Sequence, residues 1–438
     1  MRLLLVLVVW GASGVGAWAD EPPVPVTRPE MKKVLEALKK AKPRLPLPPL
    51  SEADGKAGGL RIVNNGRMRQ LYLPEELRSA DFPRGQDAAL TLDPTFKVEL
   101  FWIVSRTNNC RYCLGHQEWK LATAGRTEDQ IAALDGDWSE FTPAQRAAFA
   151  LTRQLTFQPH TLKDASLDEV RKHYKPLQIL EILFTVANNN ATNRWTDSLG
   201  IPQEQTGRFF RRAQPAETEK APAVLASFLI PTSPRYQAGR SKVAPLEEAG
   251  RPKLESRSEV EAALAACRKR TPRLPLVEEK DVRTVLGTDA PEGVAPQWVR
   301  LLANFPVAGK SRYLSLRAAA EKGTLDRKLR AQIAWIAARE DRAWYALGQA
   351  RQRLLALGVS EKEIWALDGD GDGFSPAERA AFGLARKLTA TPHRMTDDDI
   401  AGLRKHYSDS QVAELVYQVC NAAFFNRLTE AAGLRLEE

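Results

Sequence analysis

Asn108-Asn109-Cys110-Arg111-Tyr112-Cys113-Leu114-Gly115-His116-Gln117-Glu118 holds the chain's single Cys-x-x-Cys pair, and Asp341-Arg342-Ala343-Trp344-Tyr345-Ala346-Leu347-Gly348-Gln349 repeats its frame without the cysteines. In the first stretch Asn108 is the expected N-cap, which puts both sulfurs in the first two turns of a helix and His116 beside Cys113. Unpaired N–H groups and the dipole at a helix N-terminus favour negative charge, so they promote the thiolate, the nucleophilic form of cysteine. A redox-active dithiol is therefore the leading reading, with a structural disulfide and a metal site as the alternatives. A c-type haem motif needs His where Leu114 stands. A zinc site lacks a second ligand pair, because Cys267 and Cys420 lie far off and are solitary.

The repeat extends outward from these two stretches. Pro43-Arg44-Leu45-Pro46-Leu47 returns as Pro272-Arg273-Leu274-Pro275-Leu276, an offset of 229 residues. Beyond it the offset is 233: Leu134-Asp135-Gly136-Asp137 matches Leu367-Asp368-Gly369-Asp370, Arg146-Ala147-Ala148-Phe149 matches Arg379-Ala380-Ala381-Phe382, and Arg171-Lys172-His173-Tyr174 matches Arg404-Lys405-His406-Tyr407. One domain is written twice, at about 28–212 and 257–438, and the Pro-, Ala- and Glu-rich segment 213–256 reads as a linker. Its apolar run Val224 to Ile230 is suited to packing on a domain. Helical patterns cover Met31 to Lys40, Phe96 to Thr107, Thr127 to Leu134, Ala144 to Leu155 and Leu177 to Asn188, with Thr142-Pro143 as a start signal. No period-2 strand stands out, so the expected fold class is all-α, two tandem helical bundles.

The copies test each other. Cys110, Cys113 and His116 face Ala343, Ala346 and Gln349, whereas Tyr112 and Gly115 are kept as Tyr345 and Gly348. Chemistry present in one copy alone is not needed for folding. His160 and His173 recur as His393 and His406, which assigns those four histidines to structure or surface. Cys267 and Cys420 align with the apolar Leu38 and Ala187, so buried inert thiols are expected, with a disulfide between them left open. The run Asp368 to Gly373 matches the first half of a calcium loop, but Arg379 stands where a bidentate Glu is required; Ser375 and Thr142 as helix caps account for both loops without metal.

The first residues, Met1-Arg2 with the apolar run Leu3 to Trp10 and Ala17-Trp18-Ala19, read as a secretory signal cleaved near Ala19, followed by a flexible leader at 20–27. An exported, periplasmic or extracellular protein is expected, and no later stretch reaches the ~20 apolar residues of a membrane span. The net charge of +9 is spread along the chain without a base-reading motif, which argues against nucleic acid.

With Cys-x-x-Cys, a nearby His and an acidic residue one helix earlier, the first copy from about Leu92 to Gly200 resembles the AhpD-like, carboxymuconolactone decarboxylase superfamily; the second copy resembles a degenerate member. In the peroxidase branch the resemblance implies Cys113 as the thiol that attacks a hydroperoxide and Cys110 as the resolving thiol, with a Glu and a His relaying protons. The family's relay Glu falls at Val98, beside Glu99, and its His at Gln117, beside His116; one residue turns a side chain by about 100° on a helix. Glu99, His116 and Glu118 are thus the relay candidates. The decarboxylase branch does not rely on such a cysteine pair. The resemblance also implies assembly from several copies of the domain, here a pseudo-dimer within one chain and a homo-oligomer built from it. The expectation is a thiol-dependent peroxidase needing an external thiol or dithiol reductant, with no cofactor and no metal. The alternatives are thiol–disulfide exchange on protein clients, and a binding or assembly protein stapled by the disulfide.

Overall fold

The computed structural model describes residues 24–51, 63–78, 86–204, 227–245, 253–369 and 371–437. The secretory signal, the start of the leader, linker residues 213–226 and 246–252, and Asp370 lie outside the described residues. Within them the chain is all-α, with one isolated antiparallel bridge between Thr27 and Arg240.

The first copy runs α1 (Arg28–Ala37), α2 (Asn64–Tyr72), α3 (Pro94–Thr107), α4 (Arg111–Thr123), α5 (Glu128–Ala132), α6 (Pro143–Phe157), α7 (Asp164–Arg171) and α8 (Pro176–Ser198). After the short α9 (Pro234–Gln237) come α10 (Arg257–Cys267), α11 (Glu279–Leu286), α12 (Gln297–Leu302), α13 (Ala308–Glu321), α14 (Arg327–Asp341), α15 (Trp344–Ala356), α16 (Glu361–Ala366), α17 (Pro376–Ala390), α18 (Asp397–Leu403) and α19 (Asp409–Ala431). The helix starts follow local chemistry. Asp93 accepts from the Phe96 N–H at 2.8 Å ahead of Pro94, and Thr142 and Ser375 each form a capping box just before a proline.

Helices α3, α4, α6 and α8 pack around one another, as do α14, α15, α17 and α19. Paired polar ties recur in both bundles: Arg106 binds Asp135 at 3.0 Å and Arg339 binds Asp368 at 2.8 Å. Glu181 accepts from the Thr91 and Leu92 N–H groups, and Glu414 from those of Thr324 and Leu325. Ile179, Leu180, Ile182, Leu183 and Val186 of α8 are buried, each worth about 1.5–3 kcal/mol of apolar burial.

The two copies meet along α8 and α19. Phe184 meets Phe424 edge-on at 5.7 Å, and Trp195 meets Tyr417 at 6.4 Å. The duplicated Pro-Arg-Leu-Pro-Leu loops explain themselves here. Arg44 binds Asp397 at 2.7 Å while donating to the Asp197 carbonyl at 2.6 Å; Arg273 binds Asp164 at 2.6 Å while donating to the Glu430 carbonyl at 3.2 Å. Each arginine clasps the opposite copy and covers the C-terminal carbonyls of its own long helix, where positive charge is favoured.

The linker segment 227–245 lies against the first copy. Phe228 stacks on Trp119 at 4.8 Å, its N–H donates to Glu36 at 2.8 Å, and Lys32 reaches the Ile230 carbonyl at 2.5 Å.

Candidate redox site

Helix α4 begins later than its sequence implies, which corrects the expectation for Asn108. Cys110 is the N-cap, and Asn108 instead ends α3, its N–H bonding the Val104 carbonyl. The connection is a tight turn with Asn109 at φ 49°, a left-handed conformation that asparagine tolerates. The Asn108 amide donates to Asn190 and Asn193 at 3.0 Å each, tying the turn to α8. Cys113 is then the third residue of α4, and both sulfurs sit in its first turn.

Both thiols are free and buried, with Cys110 0 % and Cys113 2 % exposed. The Thr196 hydroxyl of α8 lies 3.1 Å from each sulfur, and Cys110 also contacts the Asn193 carbonyl at 3.6 Å. The pair is unequal. Burial pushes the Cys110 thiol well up. Burial also opposes ionisation of Cys113, but hydrogen bonds from Cys110, Thr196 and Asn193 outweigh it and bring that thiol below its ordinary value.

His116 faces Glu204, Nε2 to Oε2 at 2.7 Å, with its ring 4.4 Å from Tyr112 and 5.5 Å from Trp119. The Tyr112 hydroxyl donates to the other Glu204 oxygen at 2.7 Å. Burial works to raise Glu204, yet His116 and Tyr112 hold its carboxylate below the usual range.

The other two relay candidates are placed elsewhere in the bundle. Glu99 is held by Arg126 at 2.7 Å and Gln145 at 3.2 Å, and burial raises its carboxyl against those partners. Glu118 is fully buried in a bidentate pair with Arg28, both bonds 2.7 Å, and accepts from the Trp102 indole at 2.6 Å. Cys110 and Cys113 meet at Thr196 of α8, whereas His116, farther along α4, is engaged by Glu204; Glu99 and Glu118 are engaged by arginines.

Three site residues escaped the sequence reading. Thr196, Asp197 and Glu204 align with Thr429, Glu430 and Glu437 at the offset of 233. The scaffold is shared: Tyr345 and Gln349 hold Glu437 at 3.0 Å each, as Tyr112 and His116 hold Glu204. Asp197 differs from its twin. Glu430 is bound by Arg270 at 2.7 Å, whereas the residue aligned with Arg270 is Ala41. Burial, offset in part by Arg111 and Arg44, pushes the Asp197 carboxyl up to about 6. Asp197 and Thr196 line a cleft of about 300 Å³ between the copies, with Arg44 and Arg111 on one side and Met395 and Asp397 on the other.

Cys267 is a buried thiol against the Leu434 carbonyl at 3.6 Å, and burial pushes Cys420 up to about 12. Among the described residues no group of three His, Cys, Asp or Glu side chains is placed to hold a metal, and no helix is long and apolar enough to cross a membrane.

No family model matches the chain. The uncharacterized protein YdfG of Bacillus subtilis (strain 168) is 28% identical over 101 residues, which are 22% of this chain and 68% of that protein. Among solved structures, the debrominase Bmp8 in complex with 2,3,4-tribromopyrrole is 18% identical, with 42% of this chain and 90% of that one covered at a TM-score of 0.30. The chain is similar to each of them over part of its length.

Proposed function

We propose that the chain is an exported thiol peroxidase of the AhpD-like type, with its centre at Cys113 and Cys110 in the first copy. The observation that carries this reading is the Thr196 hydroxyl shared at 3.1 Å by two buried sulfurs of unequal acidity. The Cys113 thiolate attacks one oxygen of a hydroperoxide; the O–O bond breaks, and the alkoxide leaves as alcohol after taking a proton. Cys113 is left as the sulfenic acid. Cys110 then attacks that sulfur, its own proton leaving with the hydroxide as water, and a disulfide forms. An external dithiol returns the pair to thiols by exchange. The near-complete burial of both sulfurs favours a small hydroperoxide over a protein client.

The test is a single turnover with tert-butyl hydroperoxide on reduced protein. One equivalent should lower the free thiols from four by the two of the Cys110–Cys113 pair. Cys110→Ser should stop at a sulfenic acid on residue 113, trapped by dimedone, and Cys113→Ser should leave the peroxide unconsumed. Peroxide consumption by Cys113→Ser would overturn the reading. A reduction potential well below about −300 mV, outside the roughly −120 to −270 mV of exchange catalysts, would instead mark a structural disulfide.

A further inference from the structure

We propose that the second copy binds an organic anion with a flat apolar body, in the hollow that stands where the first copy keeps its thiol. The hollow measures about 610 Å³ and lies among α12, α13, α14, α15 and α19, within the roughly 300–1,000 Å³ of small-molecule sites. It does not depend on the redox chemistry of the first copy.

The space has a sequence origin. Ala334, Ala346, Ala350 and Ala422 line it, and the residues aligned with them in the first copy are Phe101, Cys113, Gln117 and Asn189. Each is larger, and Cys113 and Gln117 are buried. Protein interiors are densely packed and a void costs stability, so a copy that had merely lost its chemistry would be expected to refill this space. Here four lining positions on three helices are smaller than their counterparts, and Phe425, larger than its counterpart Thr192, leaves the hollow open.

The walls define what fits. Trp298, Tyr313 and Phe425 make an aromatic side, with the Trp298 ring 5.6 Å from Tyr313 and 5.5 Å from Phe425. Arg317, Arg330 and Arg353 stand against two lining carboxylates, Glu292 and Glu321. Arg317 is shared between Asp289 and Glu321 at 3.9 Å each. Arg330 is buried; its Nη1 donates to the Ala319 carbonyl at 3.5 Å and to the Lys322 carbonyl, and its Nε has no hydrogen-bond partner among the described residues. Arg353 is in electrostatic range of both Arg330 and Glu321. A carboxylate placed between Arg330 and Arg353 gains charge-assisted hydrogen bonds that a neutral group cannot, while a planar apolar body meets the aromatic side.

Calorimetric titration of the full chain with 1-naphthoate tests this, alongside 1-naphthalenemethanol and 1-naphthylmethylamine. Saturable binding of one naphthoate per chain is expected, at least tenfold tighter than the neutral alcohol, with no binding of the amine. Arg353→Gln should weaken naphthoate about tenfold. Ala346→Leu and Ala350→Leu, each checked for an unchanged melting temperature, should abolish it by filling the hollow. Absence of naphthoate binding, equal binding of the alcohol, or retained binding in either well-folded filling variant would overturn the proposal.

Discussion

Arg194 and Arg427 stand at matching places on α8 and α19, each donating to a carbonyl of the opposite copy: Arg194 to Thr389 and Arg427 to Thr156, both at 3.0 Å. Both side chains are buried. Their counter-charge is unequal. Asp341 binds Arg427 at 3.0 Å, whereas the residue aligned with Asp341 is Asn108. Burial and the neighbouring Arg427 push the Arg194 guanidinium down to about 9. Arg194 and Arg427 are therefore two buried cations that share one carboxylate, Asp341.

Asp341→Asn should be strongly destabilising, because it strands Arg427 without its partner in a dry interface; breaking such a buried pair costs roughly 3–5 kcal/mol. Urea unfolding of the full chain measures it. A loss below about 1 kcal/mol, the range of exposed ion pairs, would mean the interface is wetter than its burial implies.

Thr196→Val should weaken the thiolate of Cys113. A hydroxyl has one proton, and Thr196 can place it on the Thr192 carbonyl at 3.1 Å or on a sulfur. When Cys113 ionises, donation to the thiolate stabilises the charged form, so removing it raises the pKa. One such hydrogen bond is worth about 1–1.5 kcal/mol, or roughly tenfold less thiolate at pH 7. The iodoacetamide rate against pH should shift to higher pH and reach the same plateau; an unmoved profile would remove Thr196 from the site.

Asp197→Asn should change two pH profiles. The Asp197 carboxyl is raised to about 6 and, once charged, opposes the Cys113 thiolate. Its loss should increase thiolate at pH 7 and remove any inflection near pH 6 from the alkylation rate. For stability the sign is that of a raised acid: the folded chain prefers the protonated form, so wild type loses stability as pH rises from the ordinary carboxyl range to about 6. Melting temperatures of the variant should be flatter across that window.

Glu118→Gln separates support from proton relay. Its carboxylate is the buried partner of Arg28, so the substitution should cost roughly 3–5 kcal/mol in urea unfolding. The pH profile of Cys113 alkylation should stay where it is. A shifted profile would return Glu118 to the relay.

Local chemistry was open to reading along the chain. Helix starts at Thr142-Pro143, the repeat offsets of 229 and 233, and the restriction of Cys110, Cys113 and His116 to one copy need only neighbouring residues and self-comparison. A helix period and a capping residue act within a few positions, so the all-α class follows from them. The start of α4 lies two residues beyond Asn108, because the left-handed turn at Asn109 and the Asn108 bonds to α8 make Asn108 the end of α3 and leave Cys110 as the N-cap. What surrounds the sulfurs was decided by packing alone. Thr196 and Glu204 come from 83 and 88 residues beyond their partners Cys113 and His116, and no periodicity reports which side chain of α8 will face α4. The same holds for Arg44 and Arg273, whose repeated loop was visible as a pattern while its target, the opposite copy, was not. Sequence carries the propensities of each segment; the charges, hydroxyls and voids that segments present to one another exist only once α8 and α19 have packed.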